Sequence, residues 1–306
     1  MTVEAAFELF LDDRRVYCTD KTMKAYGGHV GLFISWLEKE YDAPGGIEFS
    51  SLPESDNIYR SYIVYLRQKG TVKNSTIRSY ARHIKAFLRS CYEEDICRDY
   101  IKKVKLPKDD AELKLPLFAD EAVRIDSFFD MSTEAGLRNY CIFHLMLDCG
   151  LRTQEVCRLQ NAHMDNDRNL LRIVNSKENR SRIVLCPDFL LEALARYSSL
   201  AENAGSCPQL LRSLKNPQKP VTENAVRQLF ADLKKQSGVE RLHAHLLRHT
   251  FATSYLVGGG NLEFLRVFMG HCDYNVTKMY SSLAAQCRML GVRIYELDPV
   301  FFKTGY

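Results

Sequence analysis

The chain has 306 residues, of which 46% are hydrophobic, and its formal net charge at pH 7 is +4. This length exceeds what one compact domain usually holds, so we expect two domains. No apolar run is long enough to cross a membrane, and the ten cysteines show neither a CxxC pair nor a Cys/His zinc spacing; we therefore expect a cytoplasmic protein with reduced thiols and no metal.

The first third of the chain has the apolar periodicity of helices. We predict helices over residues 3–11, 22–37 and 56–68, followed by a fourth that Asn74 or Ser75 can cap. In the fourth, apolar side chains every three or four residues predict one buried face. The residues expected on that face are Ile77, Tyr80, Ala81, Ile84, Phe87 and Leu88.

A second face of the fourth helix is basic. It carries Arg78, Arg82, Lys85 and Arg89, and no acidic residue occurs anywhere between Arg60 and Arg89. Such a face suits the phosphate backbone of DNA. The alternative is an ordinary solvated face, but solvated faces usually mix charges of both signs.

Residues 107–117 are highly charged, contain Pro107 and Pro116, and have no sustained apolar period. We predict that they are a linker between a helical domain at 1–106 and a second domain at 118–306.

The second domain has mainly helical patterns with one short β segment. Helices are expected over 120–129, over 138–147 with Gly150 after it, and from a Thr153 cap through Leu159. Apolar runs at 170–174 and 182–185 flank a polar loop and predict a hairpin. Further helices are expected over 188–199, 222–236, 246–257, 262–269 and 276–284, so the predicted fold is mainly α with a small antiparallel β-sheet.

Several residues late in the chain are suited to handling a phosphate. His245 and Arg248 are three apart and so share a helix face, Gly270-His271 follows, and Tyr280 is nine residues further on. Each feature alone has an ordinary structural explanation: a histidine near a helix start, a glycine that ends a helix, and a tyrosine in a core.

Together and in this order, these blocks resemble the tyrosine recombinase (phage integrase) family. The resemblance rests on five blocks: Gly150-Leu151-Arg152-Thr153-Gln154-Glu155-Val156, Lys177 in the hairpin, His245-Leu246-Leu247-Arg248-His249-Thr250, Gly270-His271, and Tyr280. It extends over almost the whole chain. It implies a helical core-binding domain, which binds DNA, followed by an α+β catalytic domain.

The resemblance also implies a role for each catalytic residue. Arg152 and Arg248 would hold the phosphate, because guanidinium groups match its oxygens and are always charged. His271 and His245 would move protons, Lys177 would protonate the departing 5′ oxygen, and Tyr280 would attack phosphorus. The product would be a 3′-phosphotyrosyl linkage with a free 5′ hydroxyl, formed without ATP, metal or any other cofactor.

The roles of Glu155, His249 and the hairpin loop do not follow from the motif blocks alone. Glu155 would orient an arginine or histidine, although a carboxylate in the first turn of a helix is also favourable by itself. His249 is expected to be structural. The hairpin reads Ser176-Lys177-Glu178, with Arg180 and Arg182 beyond it, where the family usually has Gly-Lys-Gly.

The expected function is site-specific DNA recombination, which integrates, excises or resolves a mobile element or replicon. A type IB topoisomerase and a catalytically silent DNA-binding relative are the alternatives. The resemblance implies as partners double-stranded DNA with inverted-repeat core sites, a homo-tetramer with a dimer on each site, and an accessory DNA-bending or directionality factor. The segment after Tyr280 would dock on a neighbouring protomer or fold back on its own domain.

Overall fold

The structure, a computed structural model, describes residues 1–108, 115–175, 180–200, 207–270 and 274–302. The chain divides into two compact units, Met1–Leu113 and Lys114–Tyr306. The division falls inside the predicted linker. The last linker residue is not exposed, however: Leu117 is buried in the second unit, where its N–H donates to Thr250 Oγ1 at 2.8 Å.

The first unit is formed by four helices. They are α1 (Val3–Arg15), α2 (Asp20–Glu40), α3 (Ile58–Gln68) and α4 (Asn74–Glu93). The predicted apolar face of α4 is confirmed for Ile77, Ala81, Ile84, Phe87 and Leu88, which are buried against the other three helices, whereas Tyr80 is only partly buried. The predicted cap is wrong, because Asn74 is already helical and Lys73 stands at the N-cap without a capping side-chain bond.

The second unit contains the other helices that the structure describes. They are α5 (Ala119–Asp126), α6 (Glu134–Leu147), α7 (Thr153–Arg158), α8 (Asp188–Leu200), α9 (Glu223–Ser237), α10 (Ala244–Val257), α11 (Leu262–Met269) and α12 (Tyr274–Leu290). The mostly apolar α6 and the buried α10 are in contact with each other at its centre. The last helix, α12, was predicted to end at residue 284 but continues to Leu290.

A small antiparallel sheet lies beside these helices. Its strands are β1 (Met164–Asp165), β2 (Leu170–Asn175) and β3 (Arg180–Leu185), in the order β1-β2-β3. The predicted hairpin is confirmed as β2 and β3, with Ile173 opposite Arg182. The two-residue β1 has no detectable sequence period. Helices with a small antiparallel sheet are the fold class that the sequence predicts.

The segment after α12 packs on its own unit in the single chain. Ile294 forms a β-bridge with Phe118, and Tyr295 N–H donates to Leu117 O at 3.0 Å. Phe301 is buried with its ring edge-on to Phe251, with ring centroids 5.7 Å apart. Of the two arrangements expected for this segment, folding back is the one seen here.

One buried group of polar side chains ties this segment to α5 and α6. His144 donates through Nδ1 to Asp148 Oδ2 at 2.7 Å and through Nε2 to Asp126 Oδ1 at 3.0 Å. Tyr295 Oη donates to the other Asp148 oxygen at 2.8 Å. Burial by itself lowers the pKa of His144, but these two carboxylates outweigh it and raise the pKa to about 9. We call Asp126, His144, Asp148 and Tyr295 the histidine–aspartate cluster.

No helix in the described part of the chain combines the length and the apolar character needed to cross a lipid bilayer.

Candidate active site

Arg152, the first of the predicted catalytic residues, lies in the turn between α6 and α7. Gly150 adopts a φ of +62°, and a Cβ there would lie 2.6 Å from the Phe251 ring, so the turn requires glycine. Arg152, not the predicted Thr153, is the N-cap residue of α7, and its N–H donates to Glu155 Oε2 at 2.8 Å. The Arg152 guanidinium is therefore held at the N-terminus of a helix, and 36% of its side chain remains exposed.

Glu155 binds two arginines at once. Its Oε1 accepts from Arg152 Nη1 at 3.1 Å and from Arg182 Nη1 at 2.7 Å, and its Oε2 accepts from Arg182 Nη2 at 2.8 Å. Burial by itself raises the pKa of Glu155, but the hydrogen bonds and charge of Arg182 and the Arg152 N–H together lower it to about 2. Glu155 is thus a charged carboxylate that holds Arg152, a role that its first-turn position alone does not require.

Arg248 is the most deeply buried arginine of the site, with 2% of its surface exposed. It lies on α10, and its Nη1 and Nη2 donate to the carbonyls of Gly150 and Met269. Burial lowers its pKa to about 9, and the nearby charges of Arg152 and Arg182 act in the same direction. The group is still a cation at neutral pH, buried close to two other cations. We call Arg152, Glu155, Arg182 and Arg248 the arginine–glutamate cluster.

The C-terminal end of α11 takes a hydrogen bond from each arginine of this cluster. Phe268 O accepts from Arg182 Nε at 2.5 Å, Met269 O from Arg248 Nη2, and Gly270 O from Arg152 Nη2 at 3.3 Å. Gly270 ends the helix with a left-handed φ of +57°. Carbonyls at a helix end have no intrahelical partner and carry the negative end of its dipole, so they suit cations.

Tyr280 lies on α12 and is 8% exposed. Burial raises the pKa of its phenol above the usual 10, while the charges of Arg248 and Arg152 oppose that rise. Its ring lies beside the imidazole of His249, with ring centroids 5.2 Å apart. A residue predicted to be merely structural therefore contacts the expected nucleophile. The contact depends on how α10 packs against α12, so the sequence alone carries no signal for it.

The structure brings together only some of the predicted catalytic residues. Arg152, Arg248 and Tyr280 interact electrostatically. His245 is the second residue of α10 and is exposed, one turn before Arg248. Lys177 and His271 lie outside the described residues.

The basic side chains of α4 differ from one another in what they contact. Arg78 Nη1 donates to Pro107 O at 2.9 Å, and Arg89 pairs with Glu93 at 3.2 Å. Arg82 and Lys85 are exposed, and neither forms an ion pair within the described part of the unit. Three of these side chains are thus exposed, and Arg78, which is half-buried, is held by the carbonyl of Pro107.

Sequence comparison places the second unit in a known group. Residues 117–286 match the model of the phage integrase family. Tyrosine recombinase XerC of Bacillus pumilus is 29% identical over 282 residues, which cover 83% of this chain and 92% of the relative. XerC of Bacillus licheniformis is 30% identical over 224 residues, covering 69% and 72%.

Solved structures share the fold of both units. The Tn1549 transposon integrase in complex with transposon right-end DNA superposes with a TM-score of 0.76 at 19% identity, covering 95% of this chain and 99% of that one. The XerH site-specific recombinase bound to a palindromic difH substrate gives a TM-score of 0.70 at 18% identity, covering 88% and 78%. These similarities concern the fold.

Proposed function

The chain belongs to the phage integrase family and is a site-specific tyrosine recombinase, which cuts and rejoins DNA, and we propose that Tyr280 is its nucleophile. The observation that supports this choice is the position of Tyr280: a buried phenol on which the charges of Arg152 and Arg248 both act. A phosphodiester bound by those two guanidinium groups would be next to the phenolic oxygen.

The arginines suit the transition state of this reaction. As the tyrosine oxygen approaches phosphorus, negative charge grows on the non-bridging oxygens and must meet fixed donors. Arg152 and Arg248 are fixed before DNA binds, because Glu155 and the α11 carbonyls hold their guanidinium groups. The phosphate would therefore bind to cations that are already in place.

Protons must also move during the reaction. The raised pKa of Tyr280 means that the free protein carries a neutral phenol at pH 7, so deprotonation accompanies attack on phosphorus. We assign the proton transfers to His245, His271 and Lys177, with Lys177 as the acid for the 5′ oxygen. The bond to phosphorus is kept in a 3′-phosphotyrosyl linkage, so rejoining requires no cofactor.

The assignment is tested by incubating the purified chain with DNA that flanks its gene. We expect a covalent protein–DNA adduct on a denaturing gel, and its loss in Tyr280→Phe, which keeps the ring and removes the attacking oxygen. Tyr255→Phe, on α10, is the matched control and should leave the adduct unchanged. An adduct of unchanged yield in Tyr280→Phe would refute the choice of nucleophile.

The same preparation distinguishes recombination from the topoisomerase alternative. A recombinase acts only on DNA that contains its site, whereas a type IB topoisomerase relaxes any supercoiled plasmid. We expect no relaxation of a plasmid without the flanking sequence.

We further propose that residues 1–106 are the core-binding domain, 107–117 the linker and 118–306 the catalytic domain. The separate hydrophobic cores of the two units support this division. Within the first unit, the basic face of α4 would lie along the DNA backbone.

Of the four basic residues on α4, Arg82 and Lys85 should contact phosphates most directly, because Arg78 and Arg89 already have partners in the protein. Neutralising both as Arg82→Gln and Lys85→Gln should reduce the slope of log affinity against log salt by about one unit for each phosphate that is no longer bound. Gel-shift titrations at several salt concentrations measure it. A slope that stays at the wild-type value would place both side chains in solvent.

The proposed partner is double-stranded DNA with inverted-repeat core sites, bound by one dimer per site and by a homo-tetramer when two sites pair. An accessory DNA-bending or directionality factor and a cytoplasmic, nucleoid-associated location belong to the same proposal. The XerH recombinase bound to a palindromic substrate supports the part of this proposal that concerns inverted-repeat DNA.

A further inference from the structure

Arg182 is a buried arginine that no catalytic motif of the sequence includes. It lies on β3, and only 8% of its side chain is exposed. Its Nη1 and Nη2 bind both oxygens of Glu155 at 2.7 and 2.8 Å, and its Nε donates to Phe268 O at 2.5 Å. One side chain thus joins β3 to the start of α7 and to the end of α11.

The hydrogen bonds of Glu155 are divided unequally between its two arginines. Arg182 makes two side-chain bonds to the carboxylate, in the paired geometry that suits guanidinium and carboxylate best. Arg152 makes a single, longer side-chain bond at 3.1 Å. The negative charge of Glu155 is therefore neutralised mainly by Arg182, and much of the Arg152 guanidinium is left for another anion.

We propose that Arg182 is a positioning residue, which keeps Arg152 available to the DNA phosphate by occupying the carboxylate of Glu155. This inference rests on the proposed role of Arg152 as a phosphate ligand. Without Arg182, the buried carboxylate would have Arg152 as its remaining side-chain partner. A carboxylate buried with an unmatched charge is costly, so it would draw Arg152 into a paired interaction and compete with the phosphate.

Charge balance in the cluster supports the same inference. Among the residues that the structure describes at this site, Arg152, Arg182 and Arg248 carry three positive charges, and Glu155 carries one negative charge. Arg182 makes the paired bonds to this carboxylate, and Arg152 makes one longer bond to it. Arg152 and Arg248 are the two cations on which the phosphate would bind.

A second substitution, at Glu155, should restore part of the activity that is lost with Arg182. Arg182→Met should slow adduct formation at saturating DNA by about 100-fold, as expected when a reacting group is misplaced by about 1 Å. Adding Glu155→Gln removes the unpaired charge, while its amide oxygen can still accept from the Arg152 N–H. We expect the double variant Arg182→Met/Glu155→Gln to react at least about tenfold faster than Arg182→Met alone.

Two further variants separate positioning from general stability. Arg182→Lys keeps the charge without the planar fork, so its rate should lie between those of wild type and Arg182→Met. Arg196→Met on α8 removes an exposed arginine that also donates to a carbonyl, that of Met131 at 3.0 Å, and should react like wild type. DNA affinity, measured by gel shift, should fall in Arg182→Met by no more than the loss of one phosphate contact, that of Arg152, and should recover in the double variant.

The experiment measures single-turnover adduct formation on the flanking DNA and, in parallel, the rise in melting temperature caused by inorganic phosphate. We expect phosphate to stabilise wild type and the double variant more than Arg182→Met. A double variant that is no faster and no better stabilised than Arg182→Met would overturn the proposal. A wild type that forms no adduct counts against the proposed function, and the phosphate measurement then decides the role of Arg182 by itself.

Discussion

The second unit contains two buried ionic clusters that differ in charge balance. In the histidine–aspartate cluster, one histidine cation lies between two carboxylates, and a tyrosine hydroxyl completes the set. In the arginine–glutamate cluster, three guanidinium groups share one carboxylate, and backbone carbonyls of α11 take several of the remaining donors.

This difference indicates what each cluster is for. The histidine–aspartate cluster bonds both ring nitrogens of its cation and closes α5, α6 and the C-terminal segment together. Among the described residues, the arginine–glutamate cluster has an excess of positive charge beside a buried tyrosine, and uncompensated buried charge lowers stability. An anion that binds there reduces this excess, whereas an anion next to the two carboxylates of the first cluster would be repelled.

The largest change in the rate of adduct formation should come from replacing Arg248 in the arginine–glutamate cluster. Arg248→Met removes one of the two cations assigned to the phosphate, and we expect adduct formation to slow by about 100- to 1,000-fold. Single-turnover assays on the flanking DNA measure it. A rate within tenfold of wild type would mean that the excess charge is not used in the reaction.

Removing the central cation of the other cluster should affect stability and not chemistry. His144→Leu leaves Asp148, which is fully buried, without its charged partner, and should lower the free energy of unfolding by about 3–5 kcal/mol. Urea titration of the full chain measures this loss. The folded fraction should still form the adduct at the wild-type rate. A rate that falls as far as in Arg248→Met would show that both clusters act in the reaction.

The same cluster should make the wild-type chain sensitive to alkali. Because the pKa of His144 is raised from 6.5 to about 9 on folding, its contribution is complete below pH 6.5 and is lost as pH rises through about 9. The loss amounts to about 3 kcal/mol. His144→Leu should not show this loss, and parallel stability curves for both proteins between pH 6 and 10 would contradict the assignment.

The smallest effect is expected at the edge of the histidine–aspartate cluster. Tyr295→Phe removes one hydrogen bond to Asp148 and keeps the ring in place, so it should lower stability by about 1 kcal/mol. Thermal melting detects a change of this size. An adduct rate that changes in step with the melting temperature would show that the C-terminal segment influences the reaction.

The sequence predicted the order of the elements better than the contacts between them. Periodicity located the buried face of α4, and the hairpin followed from two short apolar runs, because both patterns are local. The cap of α7 was assigned to Thr153, whereas Arg152 takes that position through a backbone bond to Glu155. Propensity favours a hydroxyl there, and tertiary contacts of the arginine override it.

The roles of Arg182 and His249 could not be predicted from the sequence. Arg182 is 27 residues from Glu155 in the chain, and its pairing depends on how β3 packs against α7 and α11. His249 faces Tyr280 only because α10 and α12 pack together. Long-range pairings of this kind leave no periodic signal, whereas the motifs were visible because each is contiguous.

The three carbonyls that end α11 connect the integrity of the fold to the ability to cut DNA. A helix terminus is ordinarily the first part of a helix to fray, since water can replace its missing partners. In this chain, the last turn of α11 is held by Arg152, Arg182 and Arg248. If this turn frays, Arg152 and Arg248 lose the carbonyls that hold them in place for the phosphate. A molecule that has opened only here is therefore unable to cut DNA, although most of its domain is still folded.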